Sequence, residues 1–247
     1  DGNGTFLPES KRNIPLPRIA LKILLGNSST YYATQVGEQE IGRTPILVGA
    51  FMLVKKEVFK RVNGFDEDYF MYGEDIDISY KIHSLGYDNY YNGTTSIVHF
   101  KGESTLKDNK YAAQFYGAMQ IFYKKHFKSN IVFDAIVWLG IRMAYVFRSK
   151  HKDSIDQTES YILVSDKIPD QLIKILQKPI RLDLDLECIN ENTEVILDAN
   201  LLKYEKIIAY LTNHKINSKA KFKILPKNSN FIIGSNSSKS RGEVILF

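Results

Sequence analysis

Cysteine is almost missing from this sequence: Cys188 is the only one in 247 residues. A single thiol excludes an internal disulfide framework and is compatible with a reducing cytoplasm. Long uncharged apolar runs are lacking too. The most apolar stretch, residues 131–147, contains Asp134 and Arg142 and is too short for a spanning helix. An amphipathic helix is expected there, packed on the domain or lying in a membrane interface. No charged and apolar leader opens the chain, because Asp1-Gly2-Asn3-Gly4 is polar and turn-like. No Met precedes it, so the start reads as mid-domain sequence and the chain as a fragment. No basic stripe with interleaved stacking aromatics accompanies the formal charge of +5, so no nucleic acid is expected as partner. Anionic lipid or phosphate-bearing substrates fit that charge instead. No internal repeat is evident.

What is present suits a folded α/β protein. Hydrophobic residues make up 44% and charged residues 25% of a chain long enough for one large domain or two small ones. The 14 Phe and 15 Tyr serve either a packed core or a groove that binds sugars or rings. Pro8, Pro15, Pro17 and Pro45 break residues 1–46 into loops around short elements, among them the apolar patch 19–25. Residues 46–54 read as a buried strand in which Gly49 and Ala50 mark a close approach to the backbone. Residues 55–63 take a helical period through Val54, Val58 and Val62, with Gly64 placed as the cap. A second helix is expected from Glu74 to just before Gly86, with Ile78, Ile82 and Leu85 on the face that also carries Asp75. Residues 87–91 and 95–100 follow as short strands, and 109–148 as helix, with Tyr111, Phe115, Met119 and Phe122 on one side.

Polar residues 149–160 read as a linker. Beyond it the pattern predicts strand 161–164, helix 169–177, strands 180–186 and 194–197, and helix 202–214. Strands near 221–225, 231–233 and 244–247 complete a small α/β domain. Three segments result: 1–108, 109–150 and 151–247.

Function is expected at Tyr72-Gly73-Glu74-Asp75-Ile76-Asp77, which sets three carboxylates at the mouth of a helix. Desolvation on the apolar face raises the pKa of a first-turn carboxylate, whereas the helix N-terminus lowers it. Asp75 in that position suits a general base for a hydroxyl group. Glu74 and Asp77 would orient it, bind a sugar hydroxyl or bind a cation, or all three would only complement the helix dipole. A calcium loop is excluded, because Phe70 and Met71 stand where a ligand and the turn glycine are needed.

Gly49-Ala50-Phe51-Met52-Leu53-Val54, Asn63-Gly64-Phe65-Asp66-Glu67 and Phe70-Met71-Tyr72-Gly73-Glu74-Asp75-Ile76-Asp77, in that order, resemble family 2 glycosyltransferases. The bacterial rhamnosyltransferase-like members are the most similar, and Leu85-Gly86-Tyr87 and Ile97-Val98-His99 extend the pattern. The resemblance covers roughly the first half of the chain. It implies part of a GT-A (nucleotide-diphospho-sugar transferase) domain, followed by helices and the small C-terminal α/β domain. It implies inverting transfer from a nucleotide-diphospho-sugar to a saccharide or lipid-linked acceptor in surface polysaccharide synthesis. The location implied is cytoplasmic, peripheral on the inner face of the cell membrane.

Within that resemblance Asp75 is the catalytic base. Gly49 and Ala50 form the floor under donor and acceptor, Tyr72 and Glu74 line the substrate site, and Asp77 supports the helix start beside it. His99 matches a histidine that in some relatives helps bind the divalent cation or diphosphate. Lys101 either meets diphosphate charge or is solvated. The cation, Mg or Mn, depends on an upstream Asp-x-Asp, and nothing before Gly49 supplies one. Asp183-Leu184-Asp185 has the letters but lies in the C-terminal domain, where an exposed strand face is expected. The resemblance thus implies an enzyme incomplete as given and inactive alone. Two alternatives stay open: a non-catalytic carbohydrate- or partner-binding module derived from this fold, and a membrane adaptor using the basic region 123–152. The tail at 233–242 lacks the order of a phosphate loop and reads as a hairpin connection.

Overall fold

The computed structural model describes residues 1–24, 27–100, 109–127, 135, 138–139, 158–186, 189–190, 192–213, 221–235 and 242–247. It is a mixed α/β protein that divides into two compact units. One unit comprises Leu7–Thr95 with Asp108–Lys150, and the other Asp1–Phe6, Ser96–Lys107 and His151–Phe247.

The first unit is built around a short central helix. Strands β1 (Lys11–Arg12) and β3 (Ile46–Leu47) pair antiparallel, with Arg12 opposite Ile46. Helix α1 (Pro17–Leu24) covers the apolar patch near residue 20, and β2 (Ile41–Arg43) pairs with β4 (Tyr90–Asn92) in a separate ribbon. Helix α2 (Lys56–Arg61) ends where the Gly64 N–H returns to the Phe59 carbonyl at 2.9 Å. Helix α3 (Glu74–Ser84) is then held on two sides. Ile78 and Ile82 pack with Val58, Val62, Met52 and Val54, whereas Ile76 packs with Ile46, Tyr69 and the α4 (Asn109–His126) residues Ala118, Met119 and Phe122. Each such buried Ile or Phe contributes about 1.5–3 kcal/mol. Tyr123 of α4 donates to the Pro15 carbonyl at 2.6 Å, tying the helix to the chain just past β1.

Several expectations are corrected here. The strand expected over 46–54 stops at Leu47, and the Gly49 N–H goes to a side chain instead of a ladder. Past it Met52 and Val54 face the core, while Phe51 and Leu53 are exposed. Leu85, expected on the buried face of α3, is exposed. Residues 95–100 form no strand. Val98 and Phe100 instead press side chains on the core of the second unit. Phe115, Met119 and Phe122 do share a face of α4, while the Tyr111 side chain lies outside the described residues, as do most of 131–147 and of the expected linker.

The second unit is a six-stranded sheet ordered β10-β9-β8-β7-β5-β6. Its parallel strands are β5 (Ser160–Val164), β6 (Ile180–Leu182), β7 (Thr193–Asp198) and β8 (Lys221–Leu225); β9 (Phe231–Gly234) and β10 (Glu243–Leu246) add antiparallel. Alternation along β5 explains the layering. Tyr161 and Leu163 meet Leu172 and Leu176 of α5 (Asp170–Leu176), while Ile162 and Val164 meet Ile207 and Leu211 of α6 (Tyr204–Thr212) on the opposite face. Lys223, Glu194 and Glu243 form a charged rung across the sheet, with Lys223 Nζ 2.9 Å from Glu194 and 2.6 Å from Glu243. The β9–β10 pair is antiparallel, as the hairpin reading of 233–242 expects, and residues 236–241 between the strands lie outside the described set. Strand β6 ends before Asp183-Leu184-Asp185, because the Asp183 carboxylate accepts the N–H groups of Asp185 and Leu186 and turns the chain. That tripeptide is therefore a turn and not the exposed strand face expected.

Candidate active site

The start of α3 is set by two left-handed residues, Tyr72 (φ 67°) and Gly73 (φ 83°). Only glycine takes that conformation without cost, and a non-glycine such as Tyr72 stores about 1–3 kcal/mol. A Cβ on Gly73 would also lie 3.1 Å from Ala118 and from the Tyr69 ring. Tyr72 is steadied by an edge contact with Phe115, ring centroids 6.3 Å apart. Backbone strain of this kind gathers where chemistry needs a fixed geometry. Here it delivers three carboxylates into one helical turn, and each meets a different environment.

Asp75 is clamped through one oxygen. Its Oδ2 accepts from Arg12 Nη2 at 2.7 Å and from the Gly49 N–H at 3.0 Å. Among the described residues nothing bonds Oδ1, and the side chain keeps 12% exposure. The Arg12 guanidinium is anchored in turn by the Leu47 carbonyl at 2.7 Å and the Tyr31 hydroxyl at 3.5 Å. Burial is the largest influence on the pKa of Arg12 and pulls it down, but the charge and hydrogen-bond contributions of Asp75 and Tyr31 together outweigh it and the net direction is up. Burial likewise raises Tyr31. The close approach foreseen at Gly49 is that of Asp75 itself, since a Cβ on Gly49 would come within 3.2 Å of the Asp75 Cβ. Ala50 is exposed beside it.

Glu74 is half-buried, and its Oε2 is sealed from solvent with no hydrogen-bond partner among the described residues. Desolvation raises its pKa, its own backbone N–H opposes this, and the neighbouring Asp75 adds to the rise. Asp77 is fully buried. It accepts from His126 Nε2 at 2.6 Å and from the Tyr69 hydroxyl at 3.3 Å, and it faces Lys81 Nζ at 2.9 Å. A carboxylate can only accept, so His126 carries its proton on Nε2. Asp77 therefore joins α3 to α4, and its oxygens are directed at protein groups.

Gly49, Glu74 and Asp75 are thus brought together, while Tyr72 packs on Phe115 of α4. His99 is an exposed residue of the other unit, and Lys101 lies outside the described residues. Among the described residues no group of three or more His, Cys, Asp or Glu side chains could hold a metal ion. No described helix is long and apolar enough to cross a membrane. Sequence reasoning missed Arg12, Tyr31 and His126. Arg12 lies 63 residues from its carboxylate and His126 lies 49 from its own, and no local period links such pairs.

Residues 42–104 match the family model described as the N-terminal domain of galactosyltransferase. The chain is 30% identical over 114 residues to N-acetylglucosaminyl-diphospho-decaprenol L-rhamnosyltransferase of Mycobacterium tuberculosis, in strains CDC 1551 / Oshkosh and ATCC 25618 / H37Rv. That alignment covers 44% of this chain and 37% of the relative. It is 44% identical over 52 residues to Rhamnosyltransferase WbbL of Escherichia coli strain K12, covering 21% of this chain and 20% of that protein. The chain therefore spans little more than a third of the mycobacterial relatives and a fifth of the Escherichia coli one. No solved structure matches it. The segment that carries Gly49, Glu74 and Asp75 matches a glycosyltransferase family model and is similar to rhamnosyltransferases.

Proposed function

We propose that the first unit is the acceptor side of a GT-A domain, and that Asp75 is the base of an inverting glycosyltransferase. The observation that carries this reading is the asymmetry of Asp75: Oδ2 is clamped by Arg12 and Gly49, and Oδ1 is engaged by no described residue. Oδ1 takes the proton of an acceptor hydroxyl as that oxygen attacks the anomeric carbon of the donor. The bond from that carbon to the nucleoside diphosphate breaks on the opposite face, the diphosphate leaves with the electron pair, and the configuration inverts. Gly49 and Ala50 floor the site, and Tyr72 and Glu74 line it. The donor is a nucleotide-diphospho-sugar and the acceptor a saccharide or a lipid-linked sugar of surface polysaccharide synthesis. The name of the mycobacterial relatives, which specifies N-acetylglucosaminyl-diphospho-decaprenol, supports the lipid-linked kind. Such an acceptor would bring the protein to the cytoplasmic face of a membrane.

The divalent cation that the resemblance implies does not fit the described residues, which offer no cluster to hold it. A second reading, a non-catalytic carbohydrate-binding module, is favoured by the Arg12–Asp75 pair, which balances the carboxylate charge inside the protein.

The test compares Asp75→Asn with wild type in the full-length protein. Transfer is followed from nucleotide-diphospho-rhamnose and other nucleotide sugars to N-acetylglucosaminyl-diphospho-polyprenol. Turnover should fall about 10²–10⁴-fold with the circular dichroism unchanged. Wild-type turnover in that variant would sink the assignment of Asp75. Saccharide binding by calorimetry without any turnover in wild type would establish the module instead.

A further inference from the structure

The Arg12 side chain is more firmly held than an ion pair at the edge of a site requires. It is 7% exposed and comes from the two-residue strand β1. Its backbone is set on both sides, since Arg12 sits opposite Ile46 in the β1–β3 ladder and bridges to Tyr32. Its carbonyl accepts the Thr44 hydroxyl at 3.0 Å. One terminal nitrogen, Nη2, reaches both the Leu47 carbonyl and Asp75 Oδ2, each at 2.7 Å. The other, Nη1, lies 3.5 Å from the Tyr31 hydroxyl, while Nε is buried without a hydrogen-bond partner among the described residues. Gly49 supplies the second contact to the same Oδ2, two residues past the Leu47 carbonyl that anchors Nη2. Arg12, the chain at 47–49 and Asp75 thus form a closed ring of contacts in which each member fixes the next.

We infer that Arg12 is a positioning residue for the reaction of Asp75. By holding Oδ2 it fixes the rotation of the carboxylate and leaves Oδ1 as the one oxygen that can meet an acceptor hydroxyl. The inference rests on the transferase reading above. A planar guanidinium serves the Leu47 carbonyl, Asp75 and Tyr31 from fixed directions, whereas a lysine ammonium gathers its three donors on one atom at the end of a flexible stem. Lysine at this position keeps the charge but loses the second nitrogen that faces Tyr31 and the fixed directions of the fork. A carboxylate free to rotate presents either oxygen, at varying distance, to the reacting hydroxyl. Misplacement of about an ångström in a reacting group costs on the order of a hundredfold in rate.

The test uses the full-length protein with nucleotide-diphospho-rhamnose and N-acetylglucosaminyl-diphospho-polyprenol as probes. Arg12→Met should lower kcat about a hundredfold while KM for the donor stays within about twofold. Arg12→Lys should recover only part of the loss, about tenfold below wild type. A merely structural arginine would alter unfolding and leave kcat per folded molecule as it was. Should Arg12→Met fail to fold, Arg12→Lys carries the test alone, with the circular dichroism of wild type as its control. Wild-type kcat in folded Arg12→Lys and Arg12→Met, or in Arg12→Lys when the Met variant is unfolded, overturns the inference. It leaves the transferase reading standing. A wild-type protein that transfers no sugar, with Asp75→Asn equally silent, overturns the transferase reading and the inference with it.

Discussion

Asp77 offers the clearest measure of how the site is held, because its role is read from three distances. Truncating it to alanine removes the acceptor for His126 Nε2 at 2.6 Å and for the Tyr69 hydroxyl at 3.3 Å, and the counter-charge for Lys81 at 2.9 Å. A hydrogen bond to a charged partner contributes about 1.5–3 kcal/mol, the short histidine bond near the top and the long tyrosine bond at or below the bottom of that range. Lys81 loses less, since it also donates to the Gly64 carbonyl at 3.0 Å and its side chain is 21% exposed, so water screens the missing charge. The expected cost of Asp77→Ala is about 3–5 kcal/mol. Asp77→Asn, which keeps an acceptor oxygen and the volume, should cost about half as much. Hydrogen exchange of the α3 and α4 amides measures this directly, because local opening of one unit is read without assuming a single unfolding transition for both. The amides of the six-stranded sheet serve as the internal control and should not change. A loss below about 0.5 kcal/mol in α3 and α4 would refute the network. The consequence reaches the candidate base, because Tyr123 of α4 holds the Pro15 carbonyl close behind Arg12.

Two further outcomes follow from groups whose protonation or charge is set by burial. Desolvation raises the pKa of Glu74, so the folded protein binds that proton more tightly than the unfolded chain. This group's contribution is fully present below the unfolded glutamic acid value of about 4.3 and is lost as pH rises through the higher folded value. Glu74→Gln should therefore gain stability relative to wild type between pH 4 and 7 in thermal melts, and a difference that stays flat with pH would refute the cause. Lys223 and Glu194 are each 2% exposed at their side chains, so Lys223→Met should cost about 3–5 kcal/mol by stranding a buried carboxylate. The Lys223→Met, Glu194→Met double variant should recover most of that loss in denaturant unfolding of the sheet, and a double variant as weak as the single one would refute the pairing.

The second unit was legible because its rules are local. Ile162 and Val164 alternate with Tyr161 and Leu163, so both faces of β5 are apolar and both need a covering layer, which Leu172, Leu176, Ile207 and Leu211 provide. The first unit was legible only where a helical period ran uninterrupted, as in α3 and α4. At 46–54 the apolar run suggested a strand, but a strand needs a neighbour to take its N–H groups, and at Gly49 that acceptor is a carboxylate. The same limit governed the acidic cluster. Glu74, Asp75 and Asp77 share one helical turn, and spacing alone made them near equals in charge and in distance from the helix dipole. What separates them is the remote group each one meets. Arg12 clamps one oxygen of Asp75, His126 and Lys81 absorb Asp77, and Glu74 Oε2 is bonded by none of these three. A division of labour among adjacent carboxylates is therefore a property of tertiary pairing. It becomes readable only when the chain has brought β1 and the end of α4 to the mouth of α3.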